Sequence, residues 1–199
     1  MIVEKVRRLW FGLEDRMFDL RHGIDTSGIV PPSASAAGPH APVTLHATSY
    51  QAVWTRNLRV LLREARKRCD ARVFVDIGAG KGKACIYAAA RFARVIGVEY
   101  AAPLLDDARS NARRAGLSNV EFIHADAAQY DLPDEPALVF MFNPFDGVIL
   151  GHFLDRNRAR IRATGSLIAY ANDLQRQTLA DKGFESVFRE PRRTLSLWR

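Results

Sequence analysis

The feature that most constrains this chain is an alternation of short apolar segments with helix-like segments that begins near residue 72. Strands rich in β-branched residues are predicted at 72–77, 95–99, 120–124, 137–142 and 165–170, and helix-like stretches separate them. This alternation is typical of βαβ units, whose strands pair in a mainly parallel sheet. We therefore expect an α/β domain over residues 70–199.

Two further strands are predicted near the C-terminal end, at 184–189 and 194–198, after a helix over 173–182. Only a tight turn at Glu190 and Pro191 joins these two strands. A connection this short cannot cross from one end of the sheet to the other, so the strands must pair antiparallel. The complete sheet is expected to have seven strands and to end in an antiparallel hairpin.

Residues 1–69 are expected to form a helical extension that belongs to the same structural domain. Apolar residues between Ile2 and Leu20 recur at three- and four-residue spacings, which predicts an amphipathic helix packed on the domain, with a membrane-surface helix as the alternative. A second helix is predicted to start from a cap at Thr48. Between the two helices, segment 23–43 is rich in turn residues and prolines, so it is either a disordered connector or a lid.

Composition excludes several classes of protein. No apolar run approaches the roughly 18 to 20 residues that are needed to span a bilayer. Charged residues such as Glu4 and Arg7 interrupt what would be the apolar region of a secretory signal. Cys69 and Cys85 are too few for a disulfide framework, and the five histidines show no metal-ligand spacing. We expect a cytoplasmic protein without a metal site.

The net charge of +7 bears on the kind of partner that the protein binds. An excess of basic residues can be the electrostatic footprint of a nucleic-acid-binding protein. Arginine greatly outnumbers lysine here, however, and alanine is abundant, which a GC-rich genome would also produce without selection for binding. Nucleic acid is therefore a possible partner that the composition does not favour, and the oligomeric state is left open.

The clearest chemical motif is an apolar strand that ends in Asp76 and runs into a glycine-rich turn. Gly78, Ala79, Gly80 and Gly82 form this turn, and an alanine-rich helix follows. Glycines let the backbone approach a ligand closely, and the first amides of the helix point toward it. A tight strand-to-helix connection without a ligand is the alternative for this motif taken alone.

Acidic residues end the next two strands as well. Glu99 stands where a carboxylate can accept hydrogen bonds from both hydroxyls of a ribose. Asp126 stands where it can accept from an adenine amino group or cap a helix. The adjacent Tyr100 and Ala127 are assigned to the same predicted site. These positions together indicate a nucleoside ligand at the carboxyl edge of the sheet.

Asp76 decides between the nucleoside ligands. A dinucleotide would place its pyrophosphate at the first turn, where this carboxylate would repel it. S-adenosylmethionine has no phosphate and carries an ammonium group that the carboxylate suits. Lys83 also stands where the third glycine of a dinucleotide motif would be expected, which disfavours a nicotinamide-dependent oxidoreductase.

With these motifs in this order, residues 72–198 resemble the class I S-adenosylmethionine-dependent methyltransferases, which have a Rossmann-like fold. The resemblance implies that Asp76 and the glycine-rich turn hold the cofactor, that Glu99 binds its ribose and that Asp126 contacts its adenine. The predicted C-terminal hairpin also resembles the one that distinguishes this fold from dinucleotide-binding domains.

A looser resemblance connects three other segments with small bacterial methyltransferase-like proteins. Residues 19–28 and the region of Tyr50 resemble a lid over the cofactor, and their alternatives are a helix connection and a core aromatic residue. Asn143, Pro144 and Phe145 resemble the Asn-Pro-Pro-Phe or Tyr box of amino-group methyltransferases, with one proline missing. In that box the asparagine oxygen and the next carbonyl accept hydrogens from an amine, and the aromatic ring stacks on the acceptor. A turn that merely ends the strand is the alternative.

The sequence therefore predicts an S-adenosylmethionine-dependent methyltransferase that N-methylates an unidentified acceptor in a protein, a nucleic acid or a small molecule. Asn143, Pro144 and Phe145 are the candidate catalytic residues. The alternative is a regulatory protein that binds S-adenosylmethionine and has lost the transfer reaction.

Overall fold

The computed structural model of the protein describes residues 2–31 and 46–199. Its helices are α1 (Ile2–His22), α2 (Thr55–Arg66), α3 (Lys83–Ala89), α4 (Ala102–Arg114), α5 (Gly147–Thr164) and α6 (Arg176–Asp181). Its strands are β1 (Ile29–Val30), β2 (Tyr50–Gln51), β3 (Val73–Ile77), β4 (Arg94–Glu99), β5 (Val120–His124), β6 (Ala137–Phe142), β7 (Leu167–Ala171), β8 (Ser186–Glu190) and β9 (Leu195–Trp198).

Seven of these strands form one sheet in the order β5-β4-β3-β6-β7-β9-β8. The first five of that order are parallel, and β9 pairs antiparallel with both β7 and β8. The predicted seven-stranded, mainly parallel sheet with a C-terminal antiparallel hairpin is confirmed. A short helical turn over Pro191–Arg193 makes the tight connection between β8 and β9.

The core lies on both faces of this sheet. Every residue of β3 and β7 is buried, as expected for parallel strands that are covered on both sides. Val75 and the β3 residues that point to the same face of the sheet belong to one cluster with Phe153 of α5. Phe74 points to the opposite face, where it belongs to the same cluster as Leu58 and Leu61 of α2. The central strands β3, β6 and β7 therefore meet solvent mainly at their ends, where a site can form.

The N-terminal helix α1 is held to the domain by carboxylates. Asp15 accepts hydrogen bonds from the backbone nitrogen and the hydroxyl of Thr55, at 2.9 and 2.7 Å, and lies 3.1 Å from Nζ of Lys83. Asp19 accepts from the backbone nitrogen and the hydroxyl of Thr26, each at 2.9 Å. The extension is thereby tied both to α2 and to the first turn of α3.

The boundary of the second helix differs from the prediction. It begins at Thr55 rather than after Thr48, because residues 46–51 are extended. Tyr50 and Gln51 pair antiparallel with β1, and the hydroxyl of Thr48 donates to the carbonyl of Asn143 instead of capping a helix. Trp54 precedes the first turn without a side-chain cap.

The predicted connector or lid at 23–43 is only partly described. Its residues 32–43 lie outside the described residues, and its residues 29–30 form β1. Within 2–31 and 46–199, no helix is long and apolar enough to cross a membrane.

Replacing Asp15 with alanine should destabilise the fold strongly. Lys83 is only 4% exposed, and removing the partner of a buried charge costs about 3–5 kcal/mol. Denaturation in urea measures the free energy of unfolding. The neighbouring Glu14→Ala is the control, because Glu14 pairs with the exposed Arg59, where a loss of about 0.2–1 kcal/mol is expected.

The double variant Asp15→Ala/Lys83→Met should recover part of the lost stability, because it removes the uncompensated charge. Equal losses for Asp15→Ala and Glu14→Ala would contradict the buried ion pair.

Candidate functional site

A cavity of about 310 Å³ opens at the carboxyl ends of β3, β4, β5 and β6. It brings together the predicted site residues from distant parts of the sequence. Those that line it are Tyr50, Asp76, Gly78, Ala79, Gly80, Glu99, Tyr100, Asp126, Ala127, Asn143, Pro144 and Phe145. Gly82 is the predicted residue that does not line the cavity, and it lies instead against the ring of Phe122.

The turn after β3 requires glycine for two reasons. Gly78 and Gly80 have φ angles of +82° and +53°, in the left-handed region that side chains disfavour. A Cβ atom on Gly80 would lie 2.2 Å from the ring of Tyr50, and one on Gly78 would lie 2.4 Å from Pro144. The turn is therefore in close contact both with the N-terminal extension and with the segment after β6.

Asp76 is a buried carboxyl group at the start of this turn. It is 3% exposed, and the thiol of Cys85 in α3 lies 3.6 Å from its Oδ2. Burial raises the pKa of Asp76 to about 7, the charge of Glu99 adds to this, and the hydrogen bond from Cys85 opposes it. A carboxyl group in this environment is suited to bind a cation.

Glu99 is held by three backbone amides. Its Oε2 accepts from Gly80 at 2.8 Å, and its Oε1 accepts from Tyr100 at 3.0 Å and Ala101 at 2.9 Å. Burial raises the pKa of Glu99, and these amide hydrogen bonds lower it. Both lone pairs of Oε1 are used, so Oε2 keeps one acceptor position for a ligand. The predicted contact with the hydroxyls of a ribose stays a prediction, and Oε2 is the oxygen with an acceptor position left for it.

Asp126 takes the capping role that the sequence left open, and its contact with an adenine amino group stays a prediction. Its Oδ1 accepts from the backbone nitrogen of Ala128 at 2.9 Å and caps the short helical turn Ala127–Gln129. The residue is 7% exposed and still lines the cavity. The cap fixes the carboxylate at the edge of the site.

The N-terminal extension covers the cavity from two sides. The hydroxyl of Tyr50 donates to the carbonyl of Thr26 at 2.7 Å, so its ring is anchored over Gly80. Further along, the backbone nitrogen of Asp146 donates to the carbonyl of His46 at 2.9 Å, and Ala47 bridges to Phe145. The segment 46–51 thus lies across the end of β6.

The Asn143-Pro144-Phe145 segment is bound to its surroundings more fully than the resemblance implies. The Oδ1 of Asn143 accepts from the hydroxyl of Tyr170 at 2.9 Å. Thr48 donates through its hydroxyl to the carbonyl of Asn143 at 2.6 Å, and through its nitrogen to the carbonyl of Pro144 at 3.0 Å. Phe145 is 6% exposed and belongs to the core, so little of its ring is left to stack on an acceptor.

Sequence reasoning missed several residues that line the cavity, and Asn172 and Lys83 are two of them. Asn172 follows β7 as Asn143 follows β6, and the two strand ends are neighbours because Phe142 pairs with Ala171. Its φ of +54° resembles the +41° of Asn143. The repeated pattern of an apolar strand followed by asparagine was the available signal. The other residue is Lys83, whose ion pair with Asp15 has no local signal.

No cluster of metal-binding side chains occurs among residues 2–31 and 46–199. The cavity therefore depends, in the part of the chain that is described, on carboxylates, amides and aromatic rings.

Comparisons with known proteins agree with this geometry. Residues 74–165 match the family described as methyltransferase domain. The 23S rRNA (uracil(1939)-C(5))-methyltransferase RlmD of Stenotrophomonas maltophilia is 38% identical over 81 residues, which are 41% of this chain and 17% of that enzyme. The chain thus spans a fifth or less of the length of the curated relatives that it matches.

Two solved structures share the fold. Precorrin-6y C5,15-methyltransferase from Geobacter metallireducens has a TM-score of 0.59 and 22% identity, over 74% of this chain and 89% of that chain. Magnesium protoporphyrin IX methyltransferase from Synechocystis, solved with bound S-adenosylmethionine, has a TM-score of 0.52 and 15% identity, over 71% of this chain and 74% of that chain. These structures show that the chain has the Rossmann-like fold, and residues 74–165 are similar to the methyltransferase domain family; one of the two structures was solved with bound S-adenosylmethionine.

Proposed function

We propose that the protein is an enzyme that transfers a methyl group from S-adenosylmethionine to a nitrogen of an acceptor held at the ends of β6 and β7. The observation that carries this proposal is a row of three buried acids, Asp76, Glu99 and Asp126, at the ends of successive strands in one cavity. When bound, the cofactor would supply an electrophilic methyl group: the lone pair of the acceptor nitrogen would form the new N–C bond as the S–C bond breaks and S-adenosylhomocysteine leaves.

Each acid has one part of the cofactor to bind. Asp76 would accept from the ammonium group, because a buried carboxylate without a protein cation close by suits a positive charge. Glu99 would accept from one ribose hydroxyl through Oε2, and Asp126 would accept from the adenine amino group. Tyr50 would cover the bound cofactor, since its ring already lies over Gly80. Tyr100 and Ala127 line the same part of the cavity.

The acceptor end of the site is formed by Asn143, Pro144 and Phe145. Asn143 is proposed to position the acceptor, and catalysis would come mainly from that positioning. The acceptor belongs to a protein, a nucleic acid or a small molecule. The name of the RlmD relative and the net charge of +7 support a nucleic acid among these three.

S-adenosylmethionine and its demethylated product should both bind to the protein, and NAD should not. Glu99→Ala should weaken cofactor binding by about 1.5–3 kcal/mol, because a hydrogen bond to a charged group is lost. Titration calorimetry measures these affinities. Glu121→Ala, which removes an exposed carboxylate of β5 from its pair with Arg94, is the control and should leave affinity unchanged. Unchanged affinity in Glu99→Ala would refute the ribose assignment, and binding of NAD would refute the choice of S-adenosylmethionine over a dinucleotide.

Cofactor affinity should depend on pH through Asp76. The free carboxyl has a pKa of about 7 and must lose its proton to accept from an ammonium group. Affinity should therefore fall by up to about tenfold for each pH unit below 7 and be level just above it. Calorimetry in buffers of different ionisation enthalpy would detect the released proton. Asp76→Asn should bind weakly at every pH, and a wild-type affinity that is flat between pH 6 and 8 would contradict this role.

Asn143→Ala should act on transfer rather than on cofactor binding. The residue ends β6, beside the acids that hold the cofactor, so cofactor affinity should change by less than about 1 kcal/mol while methyl transfer falls by roughly tenfold to a thousandfold. Labelled S-adenosylmethionine, offered with RNA, DNA, protein and metabolite pools, identifies the acceptor. Gln177→Ala, which removes an exposed amide of α6, is the control. Full transfer by Asn143→Ala would refute the role of Asn143, and cofactor binding without transfer to any pool would favour a regulatory protein.

A further inference from the structure

The oxygens at the end of β6 already accept hydrogen bonds from the protein itself. Tyr170 donates to Oδ1 of Asn143, and Thr48 donates to the carbonyls of both Asn143 and Pro144. An amine acceptor needs oxygens of this kind to take its hydrogens. In this protein each of these oxygens already accepts a hydrogen bond from a protein donor, so an amine would have to use the same oxygens as Tyr170 and Thr48.

The orientation of the Asn143 side chain is fixed by Tyr170. This tyrosine is 1% exposed, and its phenol hydroxyl donates to Oδ1 of Asn143 at 2.9 Å. The phenol proton is therefore directed to Asn143, where it requires an oxygen. Turning the amide over would place its NH₂ group against the phenol and leave the phenol proton without this acceptor. Hence Oδ1 faces Tyr170, and Nδ2 is on the other side of the amide.

The Nδ2 of Asn143 is a donor with a place for a partner. No residue among 2–31 and 46–199 accepts a hydrogen bond from it, and Asn143 lines the cavity. The residue is held in its left-handed conformation by the chain on both sides and by Tyr170, so the amide is a preorganised group. A molecule that covered Nδ2 without accepting from it would leave this donor without a partner, which weakens binding.

We propose that the acceptor presents a hydrogen-bond-accepting group to Nδ2 of Asn143, such as a carbonyl oxygen or a ring nitrogen without a proton. This inference rests on the proposed function and narrows its substrate class. The acceptor is then a molecule that carries such an accepting group near the nitrogen to be methylated, which an amine without a neighbouring accepting group does not offer. The Asn-Pro-Phe segment has the reverse hydrogen-bond polarity of the amine-binding box that it resembles.

Two neutral planar probes of similar size test this polarity without knowledge of the natural acceptor. N-methyl-2-pyridone has an accepting carbonyl and no N–H, whereas aniline has N–H donors. With the protein saturated by S-adenosylhomocysteine, NMR titration should show the pyridone binding at least about tenfold more tightly than aniline, on the scale of one hydrogen bond. Asn143→Asp keeps the oxygen that faces Tyr170 and replaces the donor with an acceptor, so it should reverse the preference.

Ser118→Asp is the charge-matched control, because it adds the same negative charge at an exposed position before β5, at the opposite edge of the sheet. It should keep the wild-type ratio. A wild-type ratio near or below one, including no binding of either probe, overturns the inference, as does an unchanged ratio in Asn143→Asp. Failure of S-adenosylhomocysteine itself to bind is a separate result, and it would count against the proposed function.

Discussion

The close packing around the glycine turn after β3 is the constraint on which the rest of the site depends. Gly80 lies against Tyr50 of the extension, and Gly78 lies against Pro144 after β6, at distances where a Cβ atom has no room. In the same turn, the backbone amide of Gly80 donates a hydrogen bond to the carboxylate of Glu99. One tight connection therefore sets the relative positions of the cover, the ribose acid and the acceptor end. A side chain at either glycine would have to displace a neighbouring segment.

The second determinant is a local excess of negative charge in the cavity. Asp76, Glu99 and Asp126 are all less than a tenth exposed, and the buried cation that lines the same cavity, Lys83, is paired with Asp15. Buried carboxylates without a cation are costly, and the raised pKa of Asp76 expresses that cost. A cationic ligand lowers the cost when it binds. The arrangement thus favours a sulfonium nucleoside with an ammonium group over a dinucleotide.

Local patterns were enough to predict the fold and the acids that line the cavity, but they did not predict the contacts between distant segments. Strand periodicity and the glycine turn depend on neighbouring residues, so β3 to β9 were predicted to within a few residues. The pairing of Asp15 with Thr55 and Lys83 joins residues far apart in sequence. The residues around Thr48 resemble the start of a helix, but its hydroxyl donates a hydrogen bond to the carbonyl of Asn143. The orientation of the Asn143 side-chain amide likewise depends on Tyr170, which lies on another strand.

The two asparagines at the ends of β6 and β7 indicate how the acceptor must arrive. A left-handed conformation costs a residue other than glycine energy of order 1–3 kcal/mol, and glycine would avoid it, so the amide side chains are the reason to keep asparagine. Around Asn143 and Asn172, the described lining residues after β6 and β7 include no titratable side chain. Under the proposed function, the described residues that line this end of the cavity supply donors and acceptors that orient a molecule. An acceptor nitrogen whose lone pair is already free, such as an unprotonated heterocyclic nitrogen, suits this end better than an ammonium group does.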